Sequence, residues 1–436
     1  MANLMAQLAI ESAKGQTFWA DKQVSVADLV AKAQQVRLEQ PQLCGQKVLL
    51  TYRQLEEFLV GLIAFDGWCT EMYLCPPDVT SRPEDGVQGW SFNELTADQI
   101  TTSAQQNNVD IESQQTLWYI ATSGTTGEPK WFAHTFNSLT AQTKHSTNLQ
   151  TLCWALMYQC FRFAGLQVVL QALLSGADLV DVTAYEPLSQ LALMQKNKVT
   201  AVSATPSLWR QLLMTKQLSQ LSLSHITLGG EIVDQSLLEQ LTRLFPQARI
   251  RHIYASTEAG VGFVVSDGKA GFPLSWLNNS DLSVALKISD EQHLLVKPKE
   301  QSSTLSTIKV DEQGFMDTQD RVEVINDRVL FLGRATGTIN VGGNKVHPEK
   351  VEQVLLSCEG ISQARVYAKK SPLMGELVVA DIVLFDNSDM ARLDAVSIKR
   401  QVINDCKNQL QRFEIPTKIT VVEIIDHNLS GKLNRK

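Results

Sequence analysis

Short apolar segments alternate with helical patterns along most of this 436-residue chain. Parallel strands need a crossover connection, which is usually a helix, so the alternation predicts mostly parallel sheets covered by helices. The strand-like runs are KVLLTY (47–52), MYLCPP (72–77), ADLVDV (177–182), TAVSATP (200–206), ITLGG (226–230) and RIRHIYAS (249–256). The helical runs are VSVADLVAKAQQVRL (24–38), YRQLEEFLVGLIAFDG (52–67), LSQLALMQKNK (188–198), SLWRQLLMTKQL (207–218) and QSLLEQLTRLFP (235–246).

The pattern changes at about residue 281, where short strands separated by tight turns predict an antiparallel β portion. A glycine-rich stretch then precedes a helix that follows Pro348. We therefore expect an α/β protein with a large N-terminal domain, residues 1–333, and a small α+β C-terminal domain, residues 334–436. Residues 76–114 are polar and predict mostly loop.

The composition argues against several classes of protein. Hydrophobic residues make up 44% of the chain, as in an ordinary globular protein. The net charge of -7 argues against a surface that binds nucleic acid or an anionic membrane. The seven cysteines contain no CxxC pair, so we expect reduced thiols in a cytoplasmic protein. The first residues lack the basic region of a signal peptide, and no apolar run approaches the roughly 20 residues that span a membrane.

The segment TSGTTGEPK (122–130) follows the strand-like run LWYIA and carries the most specific chemistry. Glycine lets a backbone approach an anion, N–H groups and hydroxyls donate hydrogen bonds, and Lys130 adds positive charge. The segment therefore predicts a polyphosphate site, with a flexible polar turn as the alternative. The Walker pattern GxxxxGK[ST] does not fit it, which argues against a P-loop kinase.

Four further segments follow this loop: YASTE (254–258), FMDTQD (315–320), GRATGTINVGGNKVHPEKVE (333–352) and LSGKLNRK (429–436). Together with TSGTTGEPK they resemble the motifs of the adenylate-forming superfamily, which includes acyl- and aryl-CoA ligases, luciferases and peptide-synthetase adenylation domains. The resemblance covers roughly residues 115–436. It implies that a carboxylate attacks the α-phosphate of ATP, that pyrophosphate leaves, and that a thiol then takes the acyl group. It also implies a mobile C-terminal domain.

The resemblance assigns roles around the phosphates. Thr257 would bond an α-phosphate oxygen or the acyl carboxylate, Glu258 would bind Mg²⁺, and Lys432 would approach the α-phosphate and the attacking carboxylate. The residues implied to hold the β- and γ-phosphates are Thr122, Ser123, Gly124, Thr125, Thr126, Gly127 and Lys130.

It also assigns roles around the nucleoside. Tyr254 would stack on adenine, and Asp320 would accept hydrogen bonds from the ribose with help from Arg334. The residues implied to line the adenine and acyl pockets are Gly229, Gly230 and Glu231.

The predicted acyl pocket lacks an acid. No Asp or Glu occurs between residues 135 and 176, where peptide-synthetase domains commonly supply a partner for an α-ammonium group. We therefore expect a carboxylic acid without that group. Arg162 stands where many CoA ligases have histidine, and it would contact an anionic or hydroxylated substrate or bond nearby backbone. Gly165, Val261 and Gly262 leave space for an aromatic or medium aliphatic acid.

The main hypothesis is a ligase that uses ATP and Mg²⁺ to adenylate a small carboxylic acid and then transfers the acyl group to CoA. One alternative acceptor is the phosphopantetheine thiol of an acyl or peptidyl carrier protein. A non-catalytic nucleotide or acyl-adenylate binding protein also stays open, because Ala255, Gln319 and Thr336 depart from the superfamily's motifs. His134, close to the phosphate loop, is interpreted as a packing residue or as part of a helix start.

Overall fold

The computed structural model describes most of the chain. The described residues are 3–11, 17–19, 23–76, 87–91, 115–122, 130–144, 146–257, 260–279, 282–298, 309–371, 374–386, 388–427 and 432–433.

Within these ranges the chain alternates between helices and strands, as the sequence predicts. The helices are α1 Leu4–Glu11, α2 Val26–Glu39, α3 Leu55–Phe65, α4 Phe136–Thr140, α5 Phe163–Ser175, α6 Pro187–Lys196, α7 Pro206–Met214, α8 Gln235–Leu244, α9 Pro348–Ser357 and α10 Ala395–Lys407. The strands of the first half are β1 Thr17–Trp19, β2 Gln23–Ser25, β3 Lys47–Thr51, β4 Glu71–Leu74, β5 Gln88–Ser91, β6 Leu117–Thr122, β7 Lys130–Thr135, β8 Cys153–Leu156, β9 Asp178–Asp181 and β10 Ala201–Ala204. The later strands are β11 His225–Gly229, β12 Arg249–Ser256, β13 Gly260–Val265, β14 Phe272–Pro273, β15 Val284–Ile288, β16 His293–Pro298, β17 Met316–Ile325, β18 Arg328–Arg334, β19 Ile339–Val341, β20 Asn344–Val346, β21 Ile361–Ser371, β22 Gly375–Leu384 and β23 Lys418–Val421.

Two mostly parallel sheets build the N-terminal part. The first has eight strands in the order β13-β12-β11-β10-β8-β9-β1-β2, and only its two outermost pairings are antiparallel. The second has the order β5-β3-β4-β6-β7, and β6 and β7 form its antiparallel pair. One hydrophobic core joins both sheets through α3 and α5, which are buried over almost their whole length.

Two antiparallel arrangements follow. Strands β14 to β18 form a five-stranded sheet, which matches the β portion expected from residue 281 onward. Strands β19 to β22 form the last sheet with β23 parallel to β22, and α9 and α10 pack on it around a separate core. The α/β class with a large N-terminal and a smaller C-terminal domain is thus confirmed.

The sequence does not predict one short strand within residues 76–114, which are expected to be mostly loop. Strand β5, in the middle of that polar stretch, pairs with β3 in parallel register. Its Trp90 packs edge-on against Phe65 of α3 with ring centroids 5.0 Å apart. A strand of four residues, of which only Trp90 is hydrophobic, leaves too short a periodic signal to be recognised in a sequence. No helix of the described residues is long and apolar enough to cross a membrane.

Helix α7 connects the first sheet to the last one. The Arg210 guanidinium pairs with Asp234, the N-cap of α8, and its Nη1 lies 3.4 Å from the carbonyl oxygen of Ser362 in β21. One turn further along α7, the Sδ of Met214 lies 3.2 Å from the Nε2 of Gln363. The C-terminal part therefore packs against the face of α7 that turns away from the sheet of β10 and β11.

Candidate active site

The predicted phosphate loop joins the paired ends of two strands. Thr122 ends β6 and Lys130 begins β7, and the two residues are opposite each other in the antiparallel register. The Thr122 hydroxyl lies 3.4 Å from the Lys130 carbonyl oxygen. The sequence predicts β6 but not the strand that leaves the loop. The other predicted phosphate ligands, at positions 123–127, lie outside the described residues.

Arg162 supports the strand that leads into this loop. It is the N-cap of α5 and is only 8% exposed. Its Nη1 donates a hydrogen bond to the carbonyl oxygen of Ala121, at 3.1 Å, directly before Thr122. Of the two roles expected for Arg162, the structure contains the bond to backbone; a contact with substrate stays a prediction.

His134 connects β7 to the turn after β12. The residue is 2% exposed, as a packing residue would be, and its ring also packs near Phe163. Its Nε2 lies 2.8 Å from the Thr257 carbonyl oxygen. Because a carbonyl only accepts, Nε2 carries the proton and donates. The histidine thus fixes the backbone of Thr257, the residue before the predicted Mg²⁺ ligand.

Tyr254, Asp320 and Arg334 form one polar cluster. The Tyr254 hydroxyl donates to Oδ2 of Asp320 at 2.6 Å, and Arg334 Nε lies 3.1 Å from Oδ1. Asp320 and Arg334 are paired neighbours on β17 and β18, so the sheet itself holds this ion pair. The Tyr254 ring stacks with Phe263 and Phe331, at centroid distances of 5.1 and 5.2 Å.

This environment determines the protonation state of the Tyr254 hydroxyl. Burial, followed by the charge of Asp320 and its hydrogen bond, raises the pKa of the Tyr254 hydroxyl well above its ordinary value. The phenol is therefore a fixed donor near neutral pH, and Asp320 Oδ2 is its acceptor. The Arg334 side chain is 57% exposed, so the cluster opens to solvent on that side. These groups can present a carboxylate and a guanidinium to a hydroxylated ligand.

The end of β11 receives the C-terminal tail. Gly230 follows β11 with a φ of +81°, a left-handed conformation that favours glycine. A Cβ at this position would lie 3.5 Å from Cε of Lys432 and 3.6 Å from Cγ2 of Thr205. The structure thus brings the predicted terminal lysine to the predicted Gly229–Gly230–Glu231 segment, at the carboxyl end of a parallel strand, where ligands of such sheets bind.

The residues expected to shape the acyl pocket have packing roles of their own. A Cβ on Gly165 would lie 2.2 Å from the Gln159 carbonyl oxygen, and one on Gly262 would lie 3.1 Å from the Tyr254 ring. Val261 is partly buried and packs against the large core that joins the two sheets. Glycine is therefore required at position 165 by close backbone contact, whatever lies in the pocket.

Replacing Gly165 with alanine is expected to destabilise the protein by about 3 kcal/mol, because the new methyl group would overlap a backbone carbonyl that cannot rotate away. Urea denaturation checks this through the transition midpoint. Gly89→Ala is the matched control, since a Cβ there meets no atom within 4 Å. Equal midpoints for the two variants would contradict the packing role of Gly165.

The expected metal ligand, Glu258, lies outside the described residues. In the part of the chain that the structure describes, no group of three His, Cys, Asp or Glu side chains could hold a metal ion. Mg²⁺ binding at Glu258 therefore stays a prediction.

The sequence matches two family profiles. The profile described as AMP-binding enzyme matches residues 32–303, more than half of the chain, and the AMP-binding enzyme C-terminal domain matches residues 350–432. The chain belongs to the AMP-binding enzyme family. This confirms the adenylate-forming superfamily and an AMP-forming acid–thiol ligase of the acyl- or aryl-CoA synthetase type. The match also begins at residue 32, well before the expected limit near residue 115.

Similar proteins include CoA ligases for different acids. A 2-succinylbenzoate–CoA ligase of Listeria monocytogenes is 24% identical over 80% of this chain and 74% of its own length. A long-chain-fatty-acid–CoA ligase of Mycobacterium tuberculosis is 22% identical over 80% of this chain and 73% of its own length. The o-succinylbenzoate CoA synthetase of Bacillus subtilis, solved with an acyl-adenylate, has a TM-score of 0.67 at 20% identity and covers 99% and 97% of the two chains. That last likeness shows a shared fold.

Several contacts of this AMP-binding enzyme escape sequence reasoning. The His134–Thr257 and Arg162–Ala121 bonds join residues 123 and 41 positions apart. Nothing in the local pattern indicates either pairing. Helix α7 did carry a signal, since Thr205 before Pro206 is a typical helix start, and the Thr205 hydroxyl accepts from the Leu208 N–H.

Proposed function

We propose that this AMP-binding enzyme uses ATP and Mg²⁺ to adenylate a carboxylic acid that has no α-ammonium group, and then transfers the acyl group to CoA. The acid is an aryl or aliphatic one of small to medium size. The proposed division of the chain is an adenylation domain, residues 1–333, and a smaller domain, residues 334–436, that carries Lys432.

One observation carries the proposal. Lys432 lies against Gly230 at the carboxyl end of β11, although it belongs to the last residues of the chain. An ammonium group placed there can stabilise negative charge as a carboxylate attacks a phosphate. Because two anions must meet in this step, positioned positive charge is the contribution that the protein has to make.

The nucleoside end of the site supports the same reading. Asp320 is held by Tyr254 and Arg334, so its carboxylate is fixed in orientation. We propose that Asp320 accepts hydrogen bonds from the ribose hydroxyls of ATP and that Tyr254 lies next to the adenine. Thr122, Lys130 and the loop residues at positions 123–127 would hold the β- and γ-phosphates.

The substrate class rests on charge. The pocket segment around β8 and α5 contains no acidic residue, and Arg162 adds a buried positive charge beside it. An α-ammonium group would meet no counter-charge from this segment, and an unpaired charge is costly away from water. The names of the relatives support an aryl or aliphatic acid and CoA, since they are CoA ligases for 2-succinylbenzoate and for long-chain fatty acids.

Pyrophosphate release from ATP tests the proposal with pairs of acids that differ only in the α-ammonium group. We expect release with 3-phenylpropanoate, hexanoate or another member of an aryl and aliphatic panel, and at least about 100-fold less with phenylalanine or norleucine. CoA should accelerate turnover and yield a thioester.

Other results would redirect the proposal. Pyrophosphate release without a CoA thioester would favour a carrier-protein thiol as acceptor. Preference for the amino acid of a pair would overturn the substrate class. ATP binding without release for any acid would favour a non-catalytic binding protein.

A further inference from the structure

The Glu231 carboxylate joins two distant parts of the chain. Its Oε2 accepts a hydrogen bond from the Ser207 N–H at 3.0 Å, and its Oε1 accepts one from the Leu433 N–H, also at 3.0 Å. Ser207 is the second residue of α7, where an N–H has no acceptor within the helix. Leu433 directly follows Lys432. One carboxylate thus fixes the tail backbone to the start of α7.

Bonds of this kind are stronger than neutral ones, because a charged acceptor shortens and strengthens an N–H donation. Their position matters as much as their strength. The backbone N–H of Leu433 is one residue from the Lys432 Cα, so holding it restricts where the long, flexible lysine side chain can reach. The Lys432 side chain then passes Gly230, the neighbour of Glu231.

A second contact holds the same tail. His427 and Leu433 form an antiparallel bridge, and His427 Nδ1 accepts from Gln211 Nε2 at 2.9 Å. Gln211 lies on α7, as Ser207 does. Burial lowers the pKa of His427, so the ring is neutral near neutral pH and Nδ1 can accept. We call the two contacts Glu231–Leu433 and Gln211–His427 the tail clamp.

We propose that Glu231 is a positioning residue that places Lys432 for acyl-adenylate formation through the tail clamp. This role rests on the proposed function and differs from lining the adenine and acyl pockets. It predicts that Glu231 matters in the first half-reaction, in which Lys432 meets the α-phosphate, and not in thioester formation from acyl-adenylate.

Glu231→Gln tests this with a nearly isosteric change. The carboxamide turns its NH₂ toward one of the two N–H donors, so one bond is lost. We expect acyl-adenylate formation to slow by about 10- to 100-fold, while thioester formation from supplied acyl-adenylate and CoA keeps its rate. Glu239→Gln, the same change at an exposed position of α8, is the control. It should leave the rates of acyl-adenylate formation and thioester formation unchanged. Gln211→Ala removes the other half of the tail clamp and should slow the same step by a smaller factor.

Two further readouts separate this role from a merely structural one. In a Lys432→Ala background, Glu231→Gln should cause no further loss of adenylation, because both changes remove the same contribution. The Leu433 amide should exchange its hydrogen faster in Glu231→Gln than in the wild type, with or without substrate. Equal slowing of both half-reactions, additive losses, or unchanged exchange would each overturn the proposal. A wild-type protein that adenylates no acid would instead refute the proposed function, and the exchange rate would still show whether Glu231 holds the tail.

Discussion

Lys432→Ala is expected to slow acyl-adenylate formation by about 100- to 1,000-fold, which is the usual effect of removing one positioned donor from a developing negative charge. The lysine lies against Gly230, where the tail meets the end of β11. Its side chain is exposed, so the substitution removes charge without opening a cavity. Pyrophosphate–ATP exchange in the presence of a saturating acid measures the step.

Two comparisons make the result specific. Lys407→Ala removes an exposed lysine at the end of α10, in the same domain, and should leave the exchange rate unchanged. Lys432→Arg keeps the charge but replaces a compact ammonium with a planar guanidinium, so we expect partial activity. Exchange at the wild-type rate in Lys432→Ala would remove this residue from the mechanism.

Asp320→Asn should weaken ATP binding by about 10- to 100-fold, with a much smaller effect on the maximal rate. The carboxylate now accepts from Tyr254 and pairs with Arg334. The carboxamide has no charge and only one accepting atom, so it cannot serve both partners and a ribose hydroxyl. Titration calorimetry with ATP in the absence of acid gives the binding constant directly.

Asp317→Asn is the matched control for that experiment. Asp317 lies on the same strand three residues earlier, and its carboxylate contacts His293 and Gln319, not Tyr254. Its substitution should leave the ATP affinity within about twofold, as is usual for surface positions. If the Asp320 variant bound ATP as tightly as the wild type, the nucleoside would have to lie elsewhere.

Much of the fold follows from the period of the apolar residues. Strands such as β11 and β12 are short, β-branched and separated by amphipathic helices, so local pattern and tertiary structure agree. Strand β5 does not show this pattern, because Trp90 is its only hydrophobic residue and its partner, β3, lies far away in sequence. The pairing of strands is set by tertiary contact, which a local pattern does not contain.

The candidate site likewise has residues that the sequence predicts and supporting contacts that it does not predict. Motif order indicated Tyr254, Asp320 and Lys432, and the structure joins the first two directly. A bond from Arg162 to nearby backbone was one of its two expected roles, but the partners of Arg162 and His134 could not be predicted, because both side chains bond to backbone carbonyls, which every residue has. The tertiary fold alone decides which carbonyl lies within reach of the Arg162 and His134 side chains.

The packing of the C-terminal part against α7 limits where the chain can be cut in protein engineering. Exchanging C-terminal domains between relatives is a natural way to build chimaeric ligases, and the proposed domain boundary at residue 333 would be the first choice of joint. Yet Arg210 and Met214 meet Ser362 and Gln363 from a helix encoded more than a hundred residues before that joint. A graft cut at residue 333 alone would therefore set a foreign surface against α7, whereas one that also carries the outward face of α7 would keep the fit.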